Sequence, residues 1–83
     1  MPAAKVTVSG TGWVLVATTT KDTLVTNDDL PKKLCVGSTS GVTYDMGTPF
    51  NRGEKIVFPT GVSIYAMTPE GRTGYVWTTD FAV

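Results

Sequence analysis

With no histidine in its 83 residues, this chain would have to build any acid–base or metal chemistry from seven carboxylates and a single thiol. The one clustered acid pair is Asp28 and Asp29 in "NDDLPKK". A calcium loop needs acids at alternating positions and a glycine at its sharp turn. This stretch has neither, so it reads as a turn with solvated acids, with room for at most one helical turn before Pro31. Asp45, Glu54, Glu70 and Asp80 would make an acid–base pair only if folding brought two of them together, and no spacing singles out a pair. Cys35 in "KKLCVGS" has no histidine or acid close in sequence to activate it and reads as a small buried hydrophobe. "SGTGW" and "GSTSGV" lack the following helix that a phosphate loop or dinucleotide fingerprint requires. The expectation is a chain that is not an enzyme, with no metal and no cofactor.

Composition narrows the partners. Seven basic and seven acidic side chains cancel, and the basic ones are scattered. No long-range field would gather nucleic acid or anionic lipid, so neither is an expected partner. The longest apolar run, "WVLVA", is too short to span a bilayer, and "MPAAKVTVSG" lacks the cationic and apolar stretches of a signal peptide. Synthesis in the cytosol is expected. One cysteine leaves no intrachain disulfide. A domain this small hides only roughly 60% of the surface its unfolded chain exposes, so its core is thin and help from a partner subunit is useful. The whole chain, 1–83, reads as one domain with a short N-terminal arm at 1–4.

Valine, isoleucine, threonine and aromatics fill the apolar positions, and no long window carries helical spacing, which predicts an all-β fold. About eight short antiparallel strands fall between breakers: "AKVTVSG", "WVLVATTT", "TLVTN", "KLCVGS", "VTYDM", "KIVFP", "VSIYAMT" and "TGYVWTTDFAV". This is the spacing of a small β-sandwich or jelly-roll-like barrel. Gly53, Pro59, Gly61 and Gly71 are the turn-defining residues of the C-terminal half, with Glu54, Glu70 and Arg72 keeping the turn tips wet.

Alternation along the strands gives the strongest functional signal. In "AKVTVSG", Ala4, Val6 and Val8 share one face, and Lys5, Thr7 and Ser9 the other. "VSIYAM" and "GYVWTT" are instead apolar on both faces. The tight "TPEGRT" connection predicts a hairpin in which Met67 opposes Tyr75 and Tyr65 opposes Trp77, the four forming one aromatic face. Trp13 and Leu15 in "GWVLVAT" alternate with Val14 and Val16 in the same two-sided way. A thin core has room for one apolar face, so the other is covered by loops of the same chain or by a partner. Trp13, Leu15, Tyr65, Met67, Tyr75 and Trp77 are therefore the candidate oligomer or partner interface. Sugar stacking is the rival use of Trp13, Tyr44, Tyr65, Tyr75 and Trp77. Tyr44, beside Asp45, is the candidate exposed recognition site.

The run "TPFNRGEKIVFPTGVSIYAMTPEGRTGYVWTTDFAV" resembles small virion accessory proteins of tailed bacteriophages. The shared features are an "NxGE" corner, a "PxG" corner, an "IYA"-like strand, and a glycine-containing turn into a terminal Val/Thr strand. "VSGTGWVLVATT" is similar to the opening of the same proteins, so the likeness covers most of the chain, through turn and strand punctuation. Gly53, Glu54, Pro59 and Gly61 are the positions that match. The resemblance implies a virion location and a capsid decoration (cement) protein that binds a major capsid protein. It implies a homotrimer, or a dimer, and the alternative is a tail, collar or fibre component that recognises a carbohydrate or receptor. Cys35 and "NDDLPKK" depart from the pattern.

Overall fold

A computed structural model describes residues 4–80. The rest of the expected arm, residues 1–3, and the end of the last expected strand, residues 81–83, lie outside the described residues. Eight strands form: β1 (Ala4–Ser9), β2 (Val14–Thr18), β3 (Thr23–Thr26), β4 (Lys32–Val36), β5 (Thr48–Phe50), β6 (Lys55–Phe58), β7 (Ser63–Met67) and β8 (Thr73–Asp80). They make two four-stranded antiparallel sheets, ordered β1-β8-β3-β6 and β2-β7-β4-β5.

The pairs β1 with β8, β2 with β7, β3 with β6 and β4 with β5 describe one long antiparallel ribbon, folded at the β4–β5 connection and rolled up. This is jelly-roll wrapping in an open two-sheet sandwich, so four edge strands stay free among the described residues. The all-β expectation holds.

Rolling also overturns the expected hairpin. β7 pairs with β2 and β4, whereas β8 pairs with β1 and β3, so the "TPEGRT" corner crosses between sheets. Met67 does not oppose Tyr75, nor Tyr65 Trp77. Each strand sends its small or branched residues inward, Ile64 and Ala66 from β7 and Val76 from β8, all fully buried. With Val8, Val16, Val25, Leu34 and Phe50 they form the core, and Ile56, Phe58 and Val62 pack against it. Tyr65 consequently lies on one outer face and Tyr75 and Trp77 on the other.

Two further expectations are corrected. "VTYDM" is not a strand: Tyr44–Met46 form a single 3-10 turn. The strand is Thr48–Phe50, whose Pro49 lacks an N–H and is accommodated because β5 is an edge pairing only with β4. Nor is Cys35 a core residue. Lys32 and Leu34 take the inward positions of β4, leaving Cys35 half-buried on the outer face, its thiol donating to the Ser38 carbonyl at 3.2 Å.

The turn residues sit where expected. Gly53, Gly61 and Gly71 have φ of 88°, 95° and 79°, left-handed values that a side chain strains. Pro59 follows β6, and its carbonyl accepts the Thr19 hydroxyl at 2.7 Å.

Candidate functional site

Inward alternation leaves a specific set of side chains on the outside of the β1-β8-β3-β6 sheet. The registers Lys5↔Trp77↔Thr26↔Lys55, Thr79↔Leu24↔Val57 and Thr7↔Tyr75 place these residues in rows across it. Trp77, Tyr75 and Leu24 are half-buried by their strand neighbours, and Val57 is 55% exposed. Tyr75 and Trp77 meet edge to face at 6.0 Å between centroids, and the Lys5 ammonium lies 4.4 Å from the Tyr75 ring centroid. The face is thus apolar in the middle, with Lys5 and Lys55 on its two edge strands and no acid among its described strand positions. Val57 is its most exposed apolar side chain, with Trp77, Tyr75 and Leu24 partly accessible beside it.

The other outer face is treated differently. Leu15, Tyr65 and Cys35 form a row across β2, β7 and β4, with Met67 opposite Lys33 in the next row. A bulge between Leu15 and Ala17 ends the simple alternation of β2, so Val16 is buried while Leu15 remains 49% exposed. Trp13 precedes the strand and folds over the sheet, its indole N–H donating to the Val42 carbonyl at 2.8 Å. A methyl group on Gly47 would come within 2.8 Å of the Trp13 ring and 2.7 Å of Lys33 Cβ, so the 38–47 segment lies directly on this face. The six candidate interface residues therefore do not form one surface. Trp13, Leu15, Tyr65 and Met67 belong to a face partly covered by the chain's own loop, while Tyr75 and Trp77 belong to the open one.

Tyr44 and Asp45 are brought to a cleft at one end of the sandwich. Gly10 and Thr11 from the β1–β2 turn, the Tyr44–Asp45 pair, and Met67, Thr68, Glu70 and Gly71 from the β7–β8 corner enclose about 510 Å³. Tyr44 is half-buried, and Asp45 and Glu70 are exposed.

The "NDDLPKK" segment begins as the expected loop and Asp28 is solvent-exposed, but Asp29 is drawn into a buried polar cluster. Asn27 is fully buried and donates to the Phe50 carbonyl at 2.8 Å and the Leu30 carbonyl at 3.1 Å. Its Oδ1 accepts the Lys32 ammonium at 2.7 Å and the Asp29 amide at 3.2 Å. Lys32, 1% exposed, also donates to the Leu30 carbonyl at 2.8 Å and stands 3.9 Å from the Asp29 carboxylate. Asp29 in turn accepts the Tyr75 amide of β8 at 3.2 Å, so the cluster joins both sheets. Burial lowers the Lys32 pKa from 10.5, and the Asp29 charge offsets part of that effect. Every polar atom of Asn27 and Lys32 that is out of water is engaged, as a structural lock requires.

Among the described residues no group of three or more histidine, cysteine or acidic side chains could hold a metal, and no helix is long and apolar enough to cross a membrane. Sequence reasoning missed Leu24, Val57, Lys5 and Lys55 as members of the open face. The signal was present, because Leu24 and Val57 are apolar residues out of phase with the buried Val25 and the partly buried Ile56 and Phe58. It also missed Glu70 and Met67 as neighbours of Tyr44, which only the corner between the sheets brings together. No protein-family model, curated protein or solved structure matches the chain.

Proposed function

We propose that this chain is a non-enzymatic structural protein of a phage virion, a decoration protein that binds the head shell as a homo-oligomer. The observation that carries the reading is the open face of β1-β8-β3-β6, on which Trp77, Tyr75, Leu24 and Val57 lie between Lys5 and Lys55. A surface complementary to it is apolar with acidic groups at its rim. Jelly rolls recur among capsid domains, which is an analogy of fold and not of function.

The magnitudes favour an oligomer. Covering the remaining exposed part of two aromatics and two aliphatic side chains removes on the order of 250 Å² of apolar surface, or about 6 kcal/mol. Association of two bodies costs about 4–15 kcal/mol, so one such face on a monomer binds weakly. A trimer or dimer presenting several faces to a repeating lattice multiplies that affinity, and a trimer is favoured where shell symmetry offers three equivalent positions.

The test combines location, copy number and shell stability. Purified shells incubated with the chain are expected to bind many copies, to resist heat better than bare shells, and to lose both effects with Trp77→Ala or Val57→Lys. Shells that bind no copies and melt identically with and without the chain overturn the proposal. Copies found only on tails or collars move the reading to a tail, collar or fibre component.

A further inference from the structure

The cleft at the β1–β2, β7–β8 end is built to hold its shape. A methyl group on Gly10 would fall 2.4 Å from the Pro69 carbonyl oxygen, so the β1–β2 turn lies flush against the β7–β8 corner. The Thr68 amide donates to the Ser9 carbonyl at 3.2 Å, joining those two walls. The corner is closed on itself by the Arg72 amide to the Pro69 carbonyl at 3.0 Å and the Thr68 hydroxyl to the Arg72 carbonyl at 2.8 Å. The third wall is held by the Trp13 indole N–H on Val42, two residues before Tyr44. A preformed cleft loses little ordering entropy when it is filled.

Its lining is amphipathic. The Tyr44 ring, the Met67 side chain and the Gly10 and Gly71 backbone offer carbon surface, while Thr11, Asp45 and Glu70 offer oxygen acceptors. The Asp45 and Glu70 carboxylates form no hydrogen bond or ion pair among the described residues. The volume, about 510 Å³, lies within the range of small-molecule sites and exceeds what one lysine or arginine side chain fills. Lys33, which does not line the cleft, already places its ammonium 5.4 Å from the Tyr44 ring centroid. That charge weakens the cation–π attraction of the Tyr44 ring for a second cation.

We propose that this cleft binds a neutral saccharide, with one or two sugar rings lying their C–H faces on Tyr44 and Met67 and donating hydroxyl hydrogen bonds to Asp45 and Glu70. A sugar ring matches the lining because it is apolar on its faces and carries donors around its edge. The site lies apart from the open face of β1-β8-β3-β6, so the inference does not depend on the proposed attachment to a shell.

The experiment titrates the isotope-labelled chain with neutral oligosaccharides of glucose, galactose, N-acetylglucosamine and mannose at up to about 10 mM, following backbone amides by two-dimensional NMR. At least one saccharide is expected to shift the amides of Gly10, Thr11, Tyr44, Asp45, Thr68, Glu70 and Gly71 in a saturable way. Asp45→Asn and Glu70→Gln, which keep side-chain volume, should each weaken that binding about tenfold or more, the scale of a hydrogen bond to a charged acceptor. Tyr44→Ala should abolish it, with spectra of the free variants reporting that the fold is kept. The inference is overturned if no saccharide moves these amides, or if N-acetyl-lysine methyl amide moves them more strongly than any sugar, which would make this a basic side-chain pocket. Asp45→Asn leaving shell attachment intact separates this site from the proposed function.

Discussion

Replacing Asn27 by alanine removes four hydrogen bonds at once: to the Phe50 and Leu30 carbonyls, from the Asp29 amide, and from the Lys32 ammonium. The losses are unequal. The Leu30 carbonyl keeps Lys32 as its donor at 2.8 Å, but the Phe50 carbonyl loses its side-chain donor and the ammonium loses its shortest contact. A hydrogen bond to a charged group contributes about 1.5–3 kcal/mol, and an orphaned buried carbonyl costs about 1–3 kcal/mol. Together these give a destabilisation of about 3–5 kcal/mol, against a total of about 4–12 kcal/mol for a chain of this length. Lys32→Met is the informative comparison. Without the ammonium, Asn27 Oδ1 still accepts the Asp29 amide, Leu30 still accepts Asn27 Nδ2, and Asp29 still accepts the Tyr75 amide. No polar partner is left without a mate and a buried charge is gone, so the change should cost no more than about 1 kcal/mol or even stabilise. Urea unfolding followed by tryptophan fluorescence, at two protein concentrations so that assembly is separated from folding, measures both. The reasoning is refuted if Asn27→Ala stays within about 1 kcal/mol of the parent, or if Lys32→Met costs more than Asn27→Ala. The pH dependence gives a second reading. Burial lowers the folded-state pKa of Lys32 below 10.5, so between that lowered value and 10.5 the unfolded chain binds more protons than the folded one. Stability from this group therefore rises with pH across that window. The rise should be absent in Lys32→Met.

Three further substitutions test other joints of the fold. Gly10→Ala puts a methyl group against the Pro69 backbone, 2.4 Å from its oxygen, and should lower stability by about 1–3 kcal/mol; Gly12→Ala, with nothing within 4 Å, should leave the melting temperature unchanged. Thr19→Val keeps the shape of a side chain 4% exposed but removes the hydroxyl that donates to Pro59 at 2.7 Å and accepts the Val62 amide at 2.9 Å. It should cost about 2–3 kcal/mol in urea unfolding, and an unchanged midpoint would show that this corner is not a joint. Trp13→Phe keeps the ring and loses the N–H to Val42, at a cost of about 1 kcal/mol. Hydrogen exchange at the Met46 and Gly47 amides should quicken while core strand amides keep their protection.

What the sequence made legible was whatever depends on neighbours in the chain. Alternation in "AKVTVSG" put Val6 and Val8 inward and Lys5 and Thr7 outward, and glycine-bearing corners marked Gly53, Gly61 and Gly71. What it hid depends on which strands meet. A short glycine-containing connection between two apolar strands is the signature of a hairpin, but here it serves as a corner between sheets, because β7 and β8 already have partners on both sides. The strand Thr48–Phe50 was not among those expected; it is only three residues long and holds Pro49, whose missing N–H an edge tolerates. The strand expected from "KLCVGS" begins at Lys33, one residue short of β4, so the inward position of Lys32 was not read from the sequence. Lysine ordinarily stays in water, and the Asn27 and Leu30 acceptors that satisfy this ammonium lie in the preceding loop, where strand alternation gives no signal. Tyr44 and Asp45 were identified as a pair, but Glu70, Met67 and Thr11 join them only through the roll of the ribbon.

That roll also explains why the two outer faces differ. The β4–β5 connection is the fold point of the ribbon, and its residues, 37–47, have no strand to continue into. They lie back on the nearest sheet, where Trp13 and Lys33 receive them, so the β2-β7-β4-β5 face is partly covered by the chain itself, while Leu15 stays 49% exposed. The β1-β8-β3-β6 sheet is served only by short corners: Gly61 donates to Thr19 and Thr60 to Asp22 at one end, and Gly53 donates to Asn27 at the other. These bonds close the ends of the sandwich without reaching over its face. On this sheet Val57 is 55% exposed and Trp77, Tyr75 and Leu24 are partly accessible around it, a contiguous apolar patch. The most exposed position of this face can change with little cost to the core, because Val25, Val76 and Ile56 on the inner side hold the sheet in place. Val57→Lys, at a residue 55% exposed, therefore separates folding from the proposed assembly better than Trp77→Ala, which also removes the edge-to-face contact with Tyr75.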